Sequence, residues 1–510
     1  MSMAKEGTTV NRMRSATSTF AGSTATTMLV SIQALVMMPL YMLHIGPTMY
    51  GAWLATGEML VLMLAFDMGI PNIIIQRIGA ALAISDKKAI GAYFGTGATI
   101  LCAFAVGLGL VLAMLAPFVP SWVHLRGTEA QLLQNAFLLG IVSICLMLVN
   151  FIFQGLSRGL QETTTINVSS FVATLVGFVT TFLLLLNGLG LWSISIGVTV
   201  RAVLTLLGSF YFLLFRVDNE IRASVRYDRE IAKEFRSLSP PMFVAGVSYG
   251  FMNNSQVLLA AILLGPEKAT IFGLTRKAAD VARNVLDAVG NASYGGFANL
   301  FASGDKMRSQ SVYREIIAIY LAVGLALMCA YTATNPSLVG VWVNKEMFGG
   351  TTLTILIALS TLIGGWSYLT LSLYRSTNQH KAVSSALLIE CLCRLPAMVG
   401  FLLLFGLPGL PLGTIATGLV SGLWAHFRIR NLIESKIETG AHQTFVWGAR
   451  IAMFFVGIVI CTLSIRPTWA FVLGAGGAIA LLSTVVFLGI DPLLERVRSK
   501  LLRKFGRITQ

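Results

Sequence analysis

This chain has little charge. Asp, Glu, Lys and Arg together make up 12% of its 510 residues, about half the roughly 25% of an ordinary soluble domain. A soluble enzyme of this length could not cover its surface with so little charge. Disorder is excluded as well, because 55% of the residues are hydrophobic and disordered chains are poor in aliphatics. Other absences narrow the chemistry. There is no Walker A sequence, so the chain does not itself hydrolyse ATP. There is no Ser-His-Asp signature and no paired-carboxylate site on an extramembrane domain. The five histidines have no ligand spacing. The six cysteines all fall in apolar segments without disulfide or zinc spacing, and read as small hydrophobes. No metal site and no resident cofactor are expected.

What is present is a succession of long apolar runs. A helix crossing a bilayer needs about 20 mostly apolar residues. Fourteen such spans are predicted, at 19–43, 51–76, 89–119, 134–156, 165–187, 191–215, 240–264, 269–297, 312–333, 351–374, 382–406, 409–427, 449–465 and 468–489. The first 17 residues are polar and basic and the first apolar run is too long for a signal peptide, so it is read as a retained helix. The net charge of +15 does not point to nucleic acid, because most Lys and Arg lie in short loops between the apolar runs. With the N-terminus in the cytoplasm, only Arg126, Lys268, Lys345 and Arg466 fall on the outer side, which satisfies the positive-inside rule. Both termini are therefore expected in the cytoplasm. The tail 490–510 reads as a basic amphipathic helix on the inner leaflet.

A repeat is visible at an offset of 219 residues. Gly46-Pro47 precedes span 2 and Gly265-Pro266 precedes span 8; at the same offset Asn72 matches Asn291, and Asp86-Lys87 matches Asp305-Lys306. Two parallel copies of six helices follow, a pattern of alternating-access transporters. The expected fold is an all-α polytopic membrane protein of about 14 helices, two parallel six-helix halves around a central cavity with two extra C-terminal helices. The segments are a cytoplasmic N-terminus 1–18, a first bundle 19–215, a cytoplasmic linker 216–239, a second bundle 240–427, a cytoplasmic loop 428–448, helices 13 and 14 at 449–489, and the tail.

Ionisable groups inside a bilayer are costly unless they face water or a partner. Span 8 holds five: Arg276, Lys277, Asp280, Arg283 and Asp287. Arg276, Asp280, Arg283 and Asp287 step by 4, 3 and 4 and share one helical stripe of alternating sign. One reading is a hydrated cavity in which Arg276 and Arg283 bind an anionic group, since guanidinium suits phosphate and stays ionised when desolvated. Asp280 and Asp287 would hold them or bind a coupling cation or proton. The other reading is a structural ion-pair ladder. Arg201, mid-span in helix 6, is a second candidate for the cavity wall. Glu390 and Arg394 in span 11 are an i,i+4 pair whose simplest role is to satisfy each other. Asp67 in span 2 is placed to hydrogen-bond locally, and Glu58, deeper in the same span, is the better candidate for proton coupling.

The stretch Ile45-Gly-Pro-Thr-Met-Tyr-Gly-Ala-Trp53, with Phe66-Asp-Met-Gly-Ile-Pro71 and Gln76-Arg-Ile-Gly79, resembles the polysaccharide transporter branch of the MOP superfamily. Leu264-Gly-Pro-Glu-Lys-Ala-Thr-Ile-Phe-Gly273 and Phe301-Ala-Ser-Gly-Asp-Lys306 carry the resemblance into the second half. It implies a flippase of the bacterial inner membrane. Its cargo would be undecaprenyl-diphosphate-linked oligosaccharide, the repeat unit of O-antigen or exopolysaccharide. In that picture Arg276, Arg283, Lys277 and Arg201 take the diphosphate. Asp280, Asp287, Glu58, Asp67, Glu390 and Arg394 serve coupling or charge pairing. Na+ or H+ is the coupling ion, or the membrane potential drives the step. Partners would be the polyprenyl-linked glycan, membrane lipids, and a glycan polymerase or other assembly proteins. Relatives carry an acidic residue in helix 7 where this chain has Asn253-Asn254-Ser255-Gln256, which weakens cation coupling there. Two other classes stay open: a cation-coupled multidrug or small-molecule exporter of the same superfamily, and a membrane glycan polymerase or ligase. The first would favour an acidic cavity, and the second a long outer loop that this chain lacks.

Overall fold

The computed structural model describes residues 32–433 continuously, with scattered residues between 22 and 30 and between 468 and 479. The N-terminus 1–18, span 13, most of the loop 428–448, most of span 14 and the tail lie outside the described residues. Every α or 3-10 element that is described is helical, and no strand occurs among the described residues. Helix α1 is Met28–His44. There follow α2 (Pro47–Leu64), α3 (Ile70–Ala83), α4 (Lys87–Leu115), α5 (Val119–Trp122), α6 (Gly127–Gly159), α7 (Thr164–Leu186) and α8 (Leu191–Phe215). Then come α9 (Asn219–Ala223), α10 (Arg229–Asn254), α11 (Gln256–Leu264), α12 (Pro266–Ala302), α13 (Lys306–Trp342), α14 (Thr351–Ser376), α15 (His380–Phe405) and α16 (Gly409–Ile433). Among the described residues seven helices are long and apolar enough to cross a membrane, or eight if the bent pair α10–α11 counts as one. The protein is an all-α, multi-pass membrane protein.

The chain divides into two compact units, Met1–Thr270 and Ile271–Gln510. In lipid, helices associate through close packing and interhelical hydrogen bonds rather than hydrophobic burial, and both units show this. In the first, a Cβ on Gly177 would come within 2.9 Å of the Gly197 carbonyl oxygen, so α7 and α8 pack with almost no gap. Ser143 and Thr199 are hydrogen-bonded at 2.8 Å and Ser209 donates to Asn150 at 2.5 Å, tying α6 to α8. Ile70, Ile73, Ile74 and Ile78 of α3 are buried in a core with Phe94, Phe153 and Leu156. In the second unit, Ser367 and Ser421 bond at 2.7 Å between α14 and α16. Asn335 of α13 donates to Thr354 of α14 at 3.1 Å.

The repeat is written into the backbone. Gly46 and Gly265 sit at φ/ψ of 83/161° and 92/162°, a region open to glycine and strained for other residues, and a proline opens the next helix after each. Asp86 caps α4 by accepting the Ala89 N–H at 3.0 Å, and Asp305 caps α13 by accepting the Arg308 N–H at 3.0 Å. Equivalent positions of the two copies also meet. Thr270 donates to the Pro47 carbonyl at 2.6 Å, while Gly51 lies directly on the Pro266 carbonyl.

Several boundaries differ from the hydropathy reading, with α6 starting at Gly127 and α13 running Lys306–Trp342 beyond the expected 134–156 and 312–333, and two spans differ in kind. Span 2, expected as one helix over 51–76, is two: α2 ends at Leu64 and α3 starts at Ile70. Between them Met68 and Gly69 both have positive φ, and Asp67 Oδ1 accepts the Gly69 N–H at 2.8 Å. Hydropathy misses this turn because apolar residues flank it on both sides. Span 7 begins at Arg229 rather than 240 and breaks at Ser255, with α11 bent 50° from α10. The linker 216–239 is consequently mostly helical, and it is docked rather than loose. Its backbone lies in a groove on α4 made by Gly91 and Gly95, where a Cβ would come within 2.6 Å of the Ile221 and Arg226 carbonyl oxygens. Ser224 donates to the Lys87 carbonyl at 3.1 Å and the Asp228 N–H donates to Thr96 at 2.9 Å.

Candidate functional site

The stripe foreseen on span 8 is present on α12, in the second unit. Arg276 Nε lies 3.1 Å from Asp280 Oδ2, and Arg283 Nε lies 3.7 Å from Asp287 Oδ2. Each guanidinium is thus held by the carboxylate one turn further along. Neither pair is sealed: the side chains are 17% and 39% exposed in the first and 22% each in the second. The Arg276 guanidinium also stands 5.5 Å from the centre of the Phe272 ring, a cation–π contact one turn back that sequence spacing alone did not single out. Asp287 Oδ1 is buried without a partner among the described residues. Lys277 is half-buried and makes no ion pair with another described residue. Polar contacts from α13 fix the start of the stripe: Tyr331 and Asn335 both donate to the Thr275 carbonyl, at 2.9 and 3.2 Å.

The other charged pair of the second unit is of a different kind. Glu390 and Arg394 form an ion pair on α15 whose side chains are only 3% and 4% exposed, and Arg394 Nε donates to Thr417 of α16 at 3.0 Å. It is closed to a ligand and serves to join two helices.

The remaining predicted residues belong to the first unit. Arg201 is half-buried in the middle of α8, with its Cβ against Gly177 of α7 and no ion-pair partner among the described residues. Asp67 holds the α2–α3 turn. Glu58 accepts the backbone N–H of Val257 at 3.1 Å. That N–H belongs to the first turn of α11, so the carboxylate meets the positive end of a half-helix. The break itself is built from the Asn-Asn-Ser run. Asn253 and Asn254 donate back to the Tyr249 and Gly250 carbonyls at 2.9 and 3.0 Å, and such side-chain bonds compete with helix continuation. In the sequence Glu58 is a candidate for proton coupling and the Asn-Asn-Ser run a site without the relatives' acid; Glu58 and Val257, just after that run, lie 199 residues apart, and only the fold joins them. No group of three or more His, Cys, Asp or Glu placed to hold a metal occurs among the described residues.

The fold resembles that of solved transporters. An inward-facing multidrug resistance MATE family transporter of the MOP superfamily matches with a TM-score of 0.65 at 14% identity, over 79% of this chain and 96% of that one. An outward-facing member matches at 0.56 and 15% identity, over 80% and 96%. A MOP superfamily transporter from Pyrococcus furiosus, described as having a binding pocket of reversed polarity that suggests a different function, matches at 0.57 and 13%, over 84% and 95%. No curated protein sequence matches the chain. The fold is therefore that of MOP superfamily transporters. Within it, the polysaccharide biosynthesis protein family matches residues 18–294, more than half of the sequence, and the chain belongs to that family.

Proposed function

We propose that the protein is a flippase for undecaprenyl-diphosphate-linked oligosaccharide, an O-antigen or exopolysaccharide repeat unit. It would move this cargo from the cytoplasmic to the outer leaflet of the bacterial inner membrane by alternating access. The observation that carries the reading is the α12 stripe: two arginines, each oriented by a carboxylate and each partly open, on a helix of a polysaccharide biosynthesis protein. An oriented guanidinium offers a diphosphate a fork of N–H donors at little further entropic cost. Arg276 and Arg283 are assigned to the diphosphate, with Lys277 beside them on α12. Arg201 is a separate cationic contact in the first unit. Asp280 and Asp287 exchange partners with the phosphate oxygens as cargo arrives or leaves. Glu58 and Asp67 are the acids assigned to coupling in the first unit. Glu390–Arg394 is assigned to structure alone. One transporter of this fold is described by the reversed polarity of its pocket, and a cationic stripe suits anionic cargo where an acidic pocket suits cationic drugs. An ion gradient or the membrane potential drives the cycle, and the flipped unit passes to a glycan polymerase or other assembly proteins.

The test is reconstitution in liposomes containing a fluorescent undecaprenyl-diphosphate-oligosaccharide, followed by a quencher confined to one face. Wild type should equilibrate the label across the bilayer under an imposed gradient. The pair Arg276→Ala with Arg283→Ala should fall to the protein-free rate while remaining monodisperse. Crossing undiminished in that pair, or no crossing by folded wild type with several glycans, would refute the assignment and favour a small-molecule exporter.

A further inference from the structure

A second cationic site lies apart from the α12 stripe, in the first unit, and does not depend on what the transporter carries. A cavity of about 420 Å³ opens between α10, the first residue of α3 and the middle of α4. Arg229, Lys233 and Arg236 line it; they are spaced four and three apart and so share one face of α10. No carboxylate lines it. Lys233 is bonded to Glu230 at 2.7 Å, whereas Arg229 and Arg236 have no ion-pair partner among the described residues. Opposite the cations the wall is apolar, with Ile70 of α3 and Ile100 of α4. Ser239, also in the lining, is 3% exposed, yet its hydroxyl has no hydrogen-bond partner among the described residues. A buried polar group without a partner costs about 1–3 kcal/mol, so this hydroxyl marks a place for a ligand with a polar atom.

The neighbouring carboxylate, Glu234, is already engaged: it pairs with Arg77 and accepts from Tyr93 at 3.0 Å. The excess positive charge of the cavity is therefore not neutralised from that side. The cationic face of the cavity follows directly on the linker with Arg216, Arg222 and Arg226, a segment that the positive-inside rule assigns to the cytoplasm. Exposed Tyr227 and Leu238 flank the cationic face of α10, as in a helix lying at a membrane surface. Inner leaflets carry anionic lipid, each nearby Lys or Arg adding about 1 kcal/mol of attraction.

We propose that this cavity binds the phosphate-bearing headgroup of an anionic phospholipid of the cytoplasmic leaflet. The phosphate lies against Arg229 and Arg236, a headgroup or glycerol oxygen meets Ser239, and the first part of an acyl chain covers Ile100. A bare phosphate shares the cationic half of this chemistry but leaves the apolar wall wet, so the lipid is the better fit. Bound there, the lipid staples the start of α10 to α3 and α4.

The purified full-length protein is examined by native mass spectrometry and thermal unfolding in a neutral detergent, with phosphatidylglycerol, phosphatidylcholine or inorganic phosphate added. Phosphatidylglycerol should be retained and should raise the melting temperature saturably, with at least a ten-fold preference over phosphatidylcholine. Arg229→Gln with Arg236→Gln should lose that preference. Both side chains are exposed, so the variant's melting temperature without lipid should equal that of wild type. Ser239→Ala should weaken retention without lowering lipid-free stability. Equal retention of the two lipids, or an undiminished preference in the double variant, overturns the proposal. Protection by inorganic phosphate equal to that by phosphatidylglycerol overturns the lipid assignment in favour of a soluble anion.

Discussion

The contact between the two repeats predicts that Gly51 tolerates no side chain. A methyl group there would stand 2.5 Å from Thr270 Oγ1 and 2.6 Å from the Pro266 carbonyl carbon, and would overlap the carbonyl oxygen. An ordinary carbon–oxygen contact is about 3.3 Å or more, so α2 and the start of α12 must part by roughly 1.5 Å. The obstacle is mainly backbone and cannot swing aside. Overpacking of this kind costs about 1–3 kcal/mol, and stretching the 2.6 Å bond from Thr270 to Pro47 removes about 1 kcal/mol more. The better helix propensity of alanine returns up to about 1 kcal/mol. Gly51→Ala should therefore be destabilised by about 1–3 kcal/mol net. Gly57, on the same helix two turns away, supplies the control: a Cβ there meets nothing within 4 Å, so Gly57→Ala should be neutral or slightly stabilising. Thermal unfolding of both variants in one detergent, by intrinsic fluorescence, makes the comparison. Adding Thr270→Ala to Gly51→Ala should rescue only part of the loss, because the carbonyl remains. If the two glycine variants unfold together, the close approach is not what holds this crossing.

Other expectations follow from the ion pairs and the helix break. Breaking the sealed pair with Glu390→Ala or Arg394→Ala should cost about 3–5 kcal/mol, whereas Glu390→Leu with Arg394→Met should be near neutral. Transport by the double variant should persist, and its loss would give this pair a role in the cargo path. Glu58→Ala should lower the melting temperature by removing the acceptor for Val257, and Glu58→Gln should recover most of it while abolishing any acceleration by a pH gradient. A Glu58→Gln protein that still responds to the gradient would remove Glu58 from coupling. At the linker, the Lys87 ammonium 2.7 Å away and the Glu220 N–H hold the Asp218 carboxyl below its usual range. A depressed carboxylate stabilises above its unfolded value, so the gap in melting temperature between wild type and Asp218→Asn should shrink as pH falls below about 4. A gap that widens on acidification would contradict the pairing.

The sequence showed those features that depend on one helix or one turn. Span 6 runs over the residues that hydropathy marked, 191–215, and the α12 charges pair as their i,i+4 spacing dictates. The Gly-Pro and Asp-Lys marks of the repeat correspond to closely similar φ/ψ values and matching caps. What stayed hidden depends on distant residues or on backbone alone. Hydropathy measures the preference of side chains for lipid, so it ran through the Asp67–Gly69 turn and through Ser255. It read the linker as a loop because charge is abundant there, although Gly91 and Gly95 clear a groove that fixes it. The cavity beside Arg229 was hidden because its cationic face comes from α10 and its apolar wall from α3 and α4.

The repeat also bears on why the charge collects where it does. The shared frame is the Gly-Pro turn and the Asp cap, and between them the two copies diverge. At the offset of 219 residues, Gly57 and Glu58 of α2 correspond to Arg276 and Lys277 of α12. The face of α2 bearing Met59, Leu60, Leu62 and Met63 is buried in a core with Phe137, Ile141 and Ile144 of α6. The stripe positions themselves correspond to Gly57, Val61, Leu64 and Met68, beside that face rather than on it, and none of the four is charged. The one acid α2 retains is the one whose charge the α11 terminus accepts. On α12 the equivalent stretch keeps Arg276 and Arg283 paired yet open. The frame can thus be common to both copies because it is made of backbone and caps, while the side chains between those marks differ in charge.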